Sequence, residues 1–432
     1  MRISAETDEE FVRARDRMRV QHARRRGDSF AVFLLLIGPG VLTMLGENDG
    51  PSMISYSATG AAYGVGFFLP FILLTFAMAY VVQETAMRVG IATGRGHAEI
   101  IRDRFGDRIA SLALIDLAAG NVLTLVGEFV AIATGAAFLG IPASLAVPGA
   151  LALVLGAFAT QRYFTWERFA LALALCNLVF IPVAVRAHPH PAALLHALGS
   201  WQPVPHLDAA FLTLVLANLG ATVTPWMIFF QQSAVIDKGL TPRDVRFARI
   251  DTAIGTVLAA CVAVAALCIG SVLYGETTPD AYFASALLPH LGKHASTLFA
   301  LGMVEAGSIA AVTISVSSGY AVGGAFGAGK SLNRPFADGA LFYGVIVCSL
   351  LLAAGIVLIP GAPLLQLAIF ANVAATVLMA PVLVLLLRVS RDRTIMGALT
   401  NSRAGTLACG AIVAVVALLS IAYGIVALVQ RS

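Results

Sequence analysis

The sequence predicts an all-α polytopic membrane protein of about 11 transmembrane helices: two five-helix repeats of inverted topology with helices 1 and 6 broken, plus one additional C-terminal helix. Three observations predict it. Of 432 residues, 59% are hydrophobic and only 12% are charged, with a mean hydropathy of +0.86; a soluble domain carries roughly twice that charge. Apolar runs of about 20 residues, each able to cross a hydrocarbon core of about 30 Å, recur along the whole chain. The first and sixth of these runs are each interrupted by a glycine, a proline and polar residues.

The expected spans centre on Phe33–Thr59, Val65–Met87, Ile109–Phe138, Pro142–Thr160, Phe169–Val185, Phe211–Ile236, Ile254–Leu273, Ser296–Gly323, Leu341–Ile359, Leu364–Leu387 and Leu407–Val429. No stretch is left for a soluble domain. The domain reading follows: a basic cytoplasmic arm (1–29), a first five-helix repeat (30–187) and an extracytoplasmic loop (188–207). A second repeat (208–388), a cytoplasmic loop (389–404) and the eleventh helix (405–432) complete it. The arm precedes the first apolar run without a small-residue cleavage site, which argues against a removable signal peptide.

Charge sets the expected orientation. With the N-terminus in the cytoplasm, 25 of the 28 Lys and Arg residues fall on cytoplasmic segments, leaving only Arg186, Lys293 and Arg431 outside. So clean a separation obeys the positive-inside rule, and it puts the C-terminus outside. The net charge of +4 is therefore a topology signal, not a nucleic-acid footprint. Arg-rich, Lys-poor usage hints at a high-GC bacterial genome, hence an inner membrane.

Several features are assigned no chemistry. The five cysteines (Cys176, Cys261, Cys268, Cys348, Cys409) lie in apolar runs without ligand spacing and read as small buried hydrophobes. Four histidines (His188, His190, His196, His206) share the outer loop; a Pro-rich solvated loop is expected, a metal-collecting patch being the alternative. "GAFGAGKS", Gly324 to Ser331, matches a phosphate-loop pattern. That motif needs a strand before its glycine loop, whereas here a membrane span precedes it, so no nucleotide is expected.

The two interruptions carry the site. "LTMLGENDGPSMISYS", Leu42 to Ser57, places Glu47, Asn48 and Asp49 beside a Gly-Pro pair, and "LANLGATVTPWMIFFQQS" places Thr222 and Thr224 beside Pro225. Paired broken helices at matching positions of two repeats point to a midplane site, because the break frees carbonyls and helix ends to hold an ion. Unwound backbone at that depth persists only where it lines a cavity or is buried in protein.

These residues resemble the natural-resistance-associated macrophage protein (NRAMP) family of divalent-metal transporters. "GPGVLTMLGENDGPSMISYSATGAAYG", Gly38 to Gly64, is similar to the family's first span, and "QETAMRVGIATGRGHAE", Gln83 to Glu99, to its Q-x-x-x-x-R-x-G-x-x-T-G stretch. "GATVTPW", Gly220 to Trp226, sits where the family has G-A-x-V-M-P-H. The resemblance covers at least residues 30 to 330. It implies a leucine-transporter-type 5+5 fold, no enzymatic activity, no cofactor and a divalent cation as substrate.

The departures are informative. The family's D-P-G-N is Asp49-Gly50-Pro51-Ser52 here; its methionine is Thr224, its next histidine Trp226, and a further histidine Gln231. In the third span Glu128 is kept, while the acid three residues earlier is Leu125. This set resembles the NRAMP-related magnesium transporter branch. Carboxylate, hydroxyl and carbonyl oxygens suit Mg²⁺, Ca²⁺ and Mn²⁺, whereas thioethers select softer metals.

The expected ion ligands are accordingly Asp49, Ser52, the Ala221 carbonyl and Thr224, with Gln231 and Glu128 bonding ion-held waters and Trp226 walling the pocket. Glu47 and Glu305 are further intramembrane acids, expected to pair with buried polar groups. Two alternatives stay open: a proton-coupled Mn²⁺ or transition-metal symporter, and a sodium-coupled organic-solute carrier of the same fold. An intramembrane enzyme would need a nucleophile–base set or an H-E-x-x-H motif, and the sequence contains neither.

Overall fold

The computed structural model describes residues 17–158, 162–202, 208–276, 282–326, 332, 336 and 338–429, of 427–429 the backbone only. His206, most of the 1–29 arm, and Lys330 and Ser331 of the glycine-rich match lie outside the described residues. Among the described residues there is no strand.

The first region is three helices, α1 (Ser29–Leu36), α2 (Pro39–Gly46) and α3 (Gly50–Tyr63). Then follow α4 (Phe68–Thr93), α5 (His97–Phe105), α6 (Asp107–Phe138), α7 (Ala143–Ala157) and α8 (Tyr163–Leu175). A 3₁₀ turn, Cys176–Val179, carries α8 into α9 (Phe180–Arg186). The rest of the chain forms α10 (Pro191–Ser200), α11 (Ala209–Gly220), α12 (Pro225–Asp237), α13 (Val245–Gly270), α14 (Phe283–Phe326), α15 (Ala340–Val357), α16 (Leu364–Arg391) and α17 (Arg403–Val429).

Among the described residues, nine helical segments are long and apolar enough to cross a membrane, or ten if α1 and α2, bent by 44°, count as one. The eleven expected spans differ from this at two places. The first span is divided by its own break, so neither half reaches full length. The fourth, α7, has 15 residues, about 22 Å of helix at 1.5 Å per residue, short of a full crossing.

Two further features were not expected from the sequence. The outer loop is not wholly irregular: α10 occupies Pro191–Ser200, started by Pro191 in the first turn and carried by Ala and Leu, good helix formers. Its His196 is engaged by Gln202 Nε2 at 2.7 Å and Ser200 Oγ at 3.3 Å. The eighth span begins earlier than its apolar core. α14 starts at Phe283 and kinks at Gly292, whose φ of 77° favours glycine.

The broken helices form the centre. Of the apolar window in Ala209–Asp237, 89% is buried, against 17% for Arg403–Val426 at the periphery. Small residues let α13 lie close against both halves of the first span. A Cβ on Gly40 (α2) would meet the Thr252 backbone, and one on Gly255 (α13) the backbone of Gly40 and Val41. Further along, a Cβ on Gly60 (α3) would meet Leu267 and Gly270, and one on Gly270 (α13) would meet Ser57. Such glycine contacts are how helices pack where lipid supplies no hydrophobic drive.

At the Arg-rich end, α2 is fastened by charge. Asp251 of α13 accepts from the amides of Gly38 (3.0 Å), Gly40 (2.6 Å) and Val41 (3.2 Å), satisfying N–H groups that a helix start leaves free. Lys238, just beyond α12, donates to the Ile37 carbonyl at 2.6 Å and pairs with Glu167 at 2.5 Å, both side chains at most 2% exposed. Tyr163 donates to the other Glu167 oxygen at 2.9 Å.

Candidate metal-binding site

The first break spans Glu47 to Asp49. Glu47 ends α2, and Asp49, with extended backbone (φ −81°, ψ 176°), caps α3 by accepting from the Ser52 amide at 2.8 Å. Pro51 in the first turn of α3 has no N–H to lose there. The second break is built alike. α11 ends at Gly220, and Thr224 is extended (φ −116°, ψ 153°), as the proline after it requires. Both breaks are wholly buried.

Their backbone groups are satisfied from neighbouring spans. Asn177, in the 3₁₀ turn after α8, donates to the Leu45 carbonyl at 3.1 Å, and Glu128 of α6 accepts from the Gly50 amide at 2.9 Å. Asn48 donates to the Ala259 carbonyl of α13 at 2.9 Å. The Tyr56 hydroxyl donates to the Ala221 carbonyl at 2.7 Å, and Ser317 of α14 to the Trp226 carbonyl at 2.9 Å. A direct link joins the breaks: Thr224 Oγ1 donates to Glu47 Oε2 at 2.8 Å.

What remains is a set of buried oxygens that complete no well-formed hydrogen bond, Glu47 Oε1, Asn48 Oδ1, Asp49 Oδ2, Ser52 Oγ and Glu128 Oε1, with the Asp49 carboxyl standing beside the Ser52 hydroxyl and the Glu128 carboxyl. Trp226 Nε1, a donor, completes no well-formed hydrogen bond either and stands beside the Glu47 carboxyl. Buried polar atoms are paired in the great majority of cases, so five unpaired oxygens around one break form a cluster with the donor chemistry to hold a cation or water. Among the described residues, no three His, Cys, Asp or Glu side chains are arranged to hold an ion by themselves. Any ion here must also use hydroxyls, carbonyls and water.

The structure therefore brings most of the expected residues to the breaks. Asp49 and Ser52 stand in one turn, and Glu128 faces it from α6. Ala221 and Thr224 form the other break, and a Cβ on Gly46 would lie 3.4 Å from the Trp226 ring. Gln231 is given other partners: its Oε1 takes the Thr43 hydroxyl, and its Nε2 reaches Thr252 Oγ1 at 3.5 Å. Glu305 departs from expectation too, since neither carboxylate oxygen has a protein partner.

Sequence reasoning missed Tyr56 and Asn177, which cap broken carbonyls, and expected for Glu47 only a buried polar partner, which Thr224 supplies. An asparagine inside the apolar fifth run was the one visible signal for Asn177.

Fold and site together define a multi-pass helical membrane protein whose two broken helices bring together a buried cluster of oxygen atoms. The model of the natural resistance-associated macrophage protein-like family matches residues 40–426, and the chain belongs to that family. The divalent metal cation transporter MntH of Xanthomonas campestris is 30% identical over 304 residues, 66% of this chain and 67% of the relative. The crystal structure of a mutant of the Eremococcus coleocola manganese transporter superposes with a TM-score of 0.74 at 21% identity, over 90% of this chain and 86% of that one. Mhp1, a nucleobase-cation-symport-1 family transporter in a closed conformation, superposes at 0.55 with 16% identity, over 91% of each chain. These likenesses show that the chain shares its fold with the manganese transporter and, more distantly, with Mhp1.

Proposed function

We propose that the chain carries divalent cations inward across the membrane, Mg²⁺ foremost and Mn²⁺ with it, by alternating access and without a coupled proton. The orphaned oxygens of Asp49, Ser52, Glu47, Glu128 and Asn48 carry this reading. They form a hard donor set with no thioether or imidazole, the set that suits Mg²⁺ over softer metals. Mg²⁺ dehydrates reluctantly and is usually held by one or two carboxylates through retained waters. On this reading Asp49, Ser52, Thr224 and the second lone pair of the Ala221 carbonyl take the ion, while Glu128 and the Trp226 N–H take its waters. Gln231 acts by fixing Thr43 and Thr252 instead of touching the waters.

Voltage suffices to drive such a cation. One charge crossing 100 mV gains about 2.3 kcal/mol, so a divalent ion gains roughly 4.6 kcal/mol. At about 1.4 kcal/mol per decade, that sustains an inward gradient of about three decades. Trp226, Gln231 and Leu125 are groups that do not titrate near neutral pH, and they stand where the family resemblance puts two histidines and an acid. The same reading places the N-terminus and the Arg-rich end in the cytoplasm of a bacterial inner membrane, with two five-helix repeats at 30–187 and 208–388.

A second reading, proton-coupled Mn²⁺ symport, is favoured by one observation: the similar proteins are named for manganese and for divalent metals generally. Uptake into proteoliposomes separates the two. Mg²⁺ entry without acidification of the lumen is expected at a voltage fixed by a potassium–valinomycin clamp. Metal-dependent acidification under that clamp would overturn the uncoupled reading in favour of symport.

A further inference from the structure

We propose that Glu47 is a second charged ligand of the ion site, so that the first break presents two carboxylates, Glu47 and Asp49, to one divalent cation. The inference rests on the transport reading above and deepens it, because it makes the site select for ionic charge as well as for hard oxygen donors.

The geometry carries it. Glu47 and Asp49 are two residues apart at the turn where α2 has ended and α3 has not begun, and both are 0% exposed. One oxygen of each is already committed: Glu47 Oε2 to the Thr224 hydroxyl at 2.8 Å, Asp49 Oδ1 to the Ser52 amide at 2.8 Å. The other oxygen of each, Glu47 Oε1 and Asp49 Oδ2, completes no well-formed hydrogen bond to protein, its neighbours being the Trp226 N–H for Glu47 and the Ser52 hydroxyl and Glu128 carboxyl for Asp49. Each carboxylate is thus held on one side and open on the other, which is how a pre-arranged ligand is fixed before its ion arrives.

Charge argues the same way. Glu47, Asp49 and Glu128 appear in no ion pair among the described residues, and the buried Lys238 is taken by Glu167 at the Arg-rich end. Buried charges are paired or coordinate metals, and no protein cation among the described residues serves here. Two carboxylates match the charge of a divalent ion and exceed that of a monovalent one, and Glu128 beside them strengthens the same bias, so Na⁺ and K⁺ are disfavoured at the same hard-oxygen site.

A brace is the competing role for Glu47, since its bond to Thr224 ties the two breaks together. The two roles respond oppositely to substitution. Glu47→Gln keeps the length and an acceptor for Thr224 but removes the charge. Glu47→Asp keeps the charge and gives up reach. Binding is read on purified full-length protein as the MgCl₂ concentration that half-saturates the thermal shift, with Asp49→Ala as control for the site itself.

The expected result is a loss of Mg²⁺ affinity of at least tenfold in Glu47→Gln, a smaller loss in Glu47→Asp, and no saturable shift in Asp49→Ala. Glu47→Gln binding within twofold of the parent, or better than Glu47→Asp, while Asp49→Ala is dead would overturn the ligand role and leave the transport reading standing. Asp49→Ala binding as the parent does would bring down the site reading, and this inference with it.

Discussion

Removing the ammonium of Lys238 should test how firmly α2 is held at the Arg-rich end. Lys238 Nζ lies 2.5 Å from Glu167 Oε2 and 2.6 Å from the Ile37 carbonyl, with both charged side chains essentially sealed from solvent. In Lys238→Met the Glu167 carboxylate keeps only the Tyr163 hydroxyl, so a buried charge is left without its counterion. Breaking a buried pair from one side costs about 3–5 kcal/mol. Neutralising the survivor should restore much of it. In Lys238→Met/Glu167→Gln the amide oxygen still accepts from Tyr163, and the main defect left is the bare Ile37 carbonyl, about 1–3 kcal/mol. The second substitution is thus expected to recover roughly 2 kcal/mol. Unfolding in mixed micelles, followed by intrinsic tryptophan fluorescence across the double-mutant cycle, reads both numbers. A double variant no more stable than Lys238→Met would refute the argument, as would a single-variant loss under about 1 kcal/mol.

Three other outcomes are expected. Asp49→Ala should abolish Mg²⁺ uptake in proteoliposomes while eluting as the parent does on size-exclusion chromatography; uptake at the parent rate would remove Asp49 from the site. Thr224→Met brings a thioether to the second break and should shift the Mg²⁺/Mn²⁺ uptake ratio toward Mn²⁺, whereas an unchanged ratio would show that position 224 does not face the ion. Burial lowers the His97 imidazole from its ordinary 6.5 to about 4, so the fold holds it neutral while the unfolded chain protonates it. Its stability contribution is therefore full above about pH 6.5 and is lost as pH falls toward 4, by at most about 3 kcal/mol. His97→Gln should flatten the dependence of the unfolding midpoint on pH between about 7.5 and 4.5, and an unchanged slope would refute the assignment.

Much of this architecture was legible because backbone-breaking residues are local signals. Gly50-Pro51 and Pro225 mark the breaks wherever the helices around them go, and the carboxylate at 49 is conspicuous in an apolar run. The partners of the breaks were not legible, because they come from distant segments. Nothing near Asn177 announces that its amide will meet Leu45, 132 positions away, and nothing near Tyr56 points to Ala221. Gln231 shows a different limit. Its place in the sixth span suggested the ion, but helix phase turns its amide to Thr43 and Thr252. α10 was hidden for another reason: a loop rich in His and Pro looked irregular, although Pro191 in the first turn and the Ala/Leu run after it favour helix.

The continuous helix α13 serves as a rail along which both halves of the first span are seated, and the two seats are not alike. At Asp251 the rail grips α2 with three amide bonds besides the glycine contacts. Against α3 it offers shape alone, glycine on backbone, with one long hydroxyl contact from Ser57 to Ala266 at 3.4 Å. On its α13 face α3 has mainly dispersion contacts to lose, each worth little, and its directional bonds run to other helices, Tyr56 to Ala221 and Asn372 to Ser55. Lifting α2 exposes three buried N–H groups and a carboxylate at once. The hold of α13 on the first span therefore differs in kind between its halves: directional bonds fix α2, and close packing seats α3.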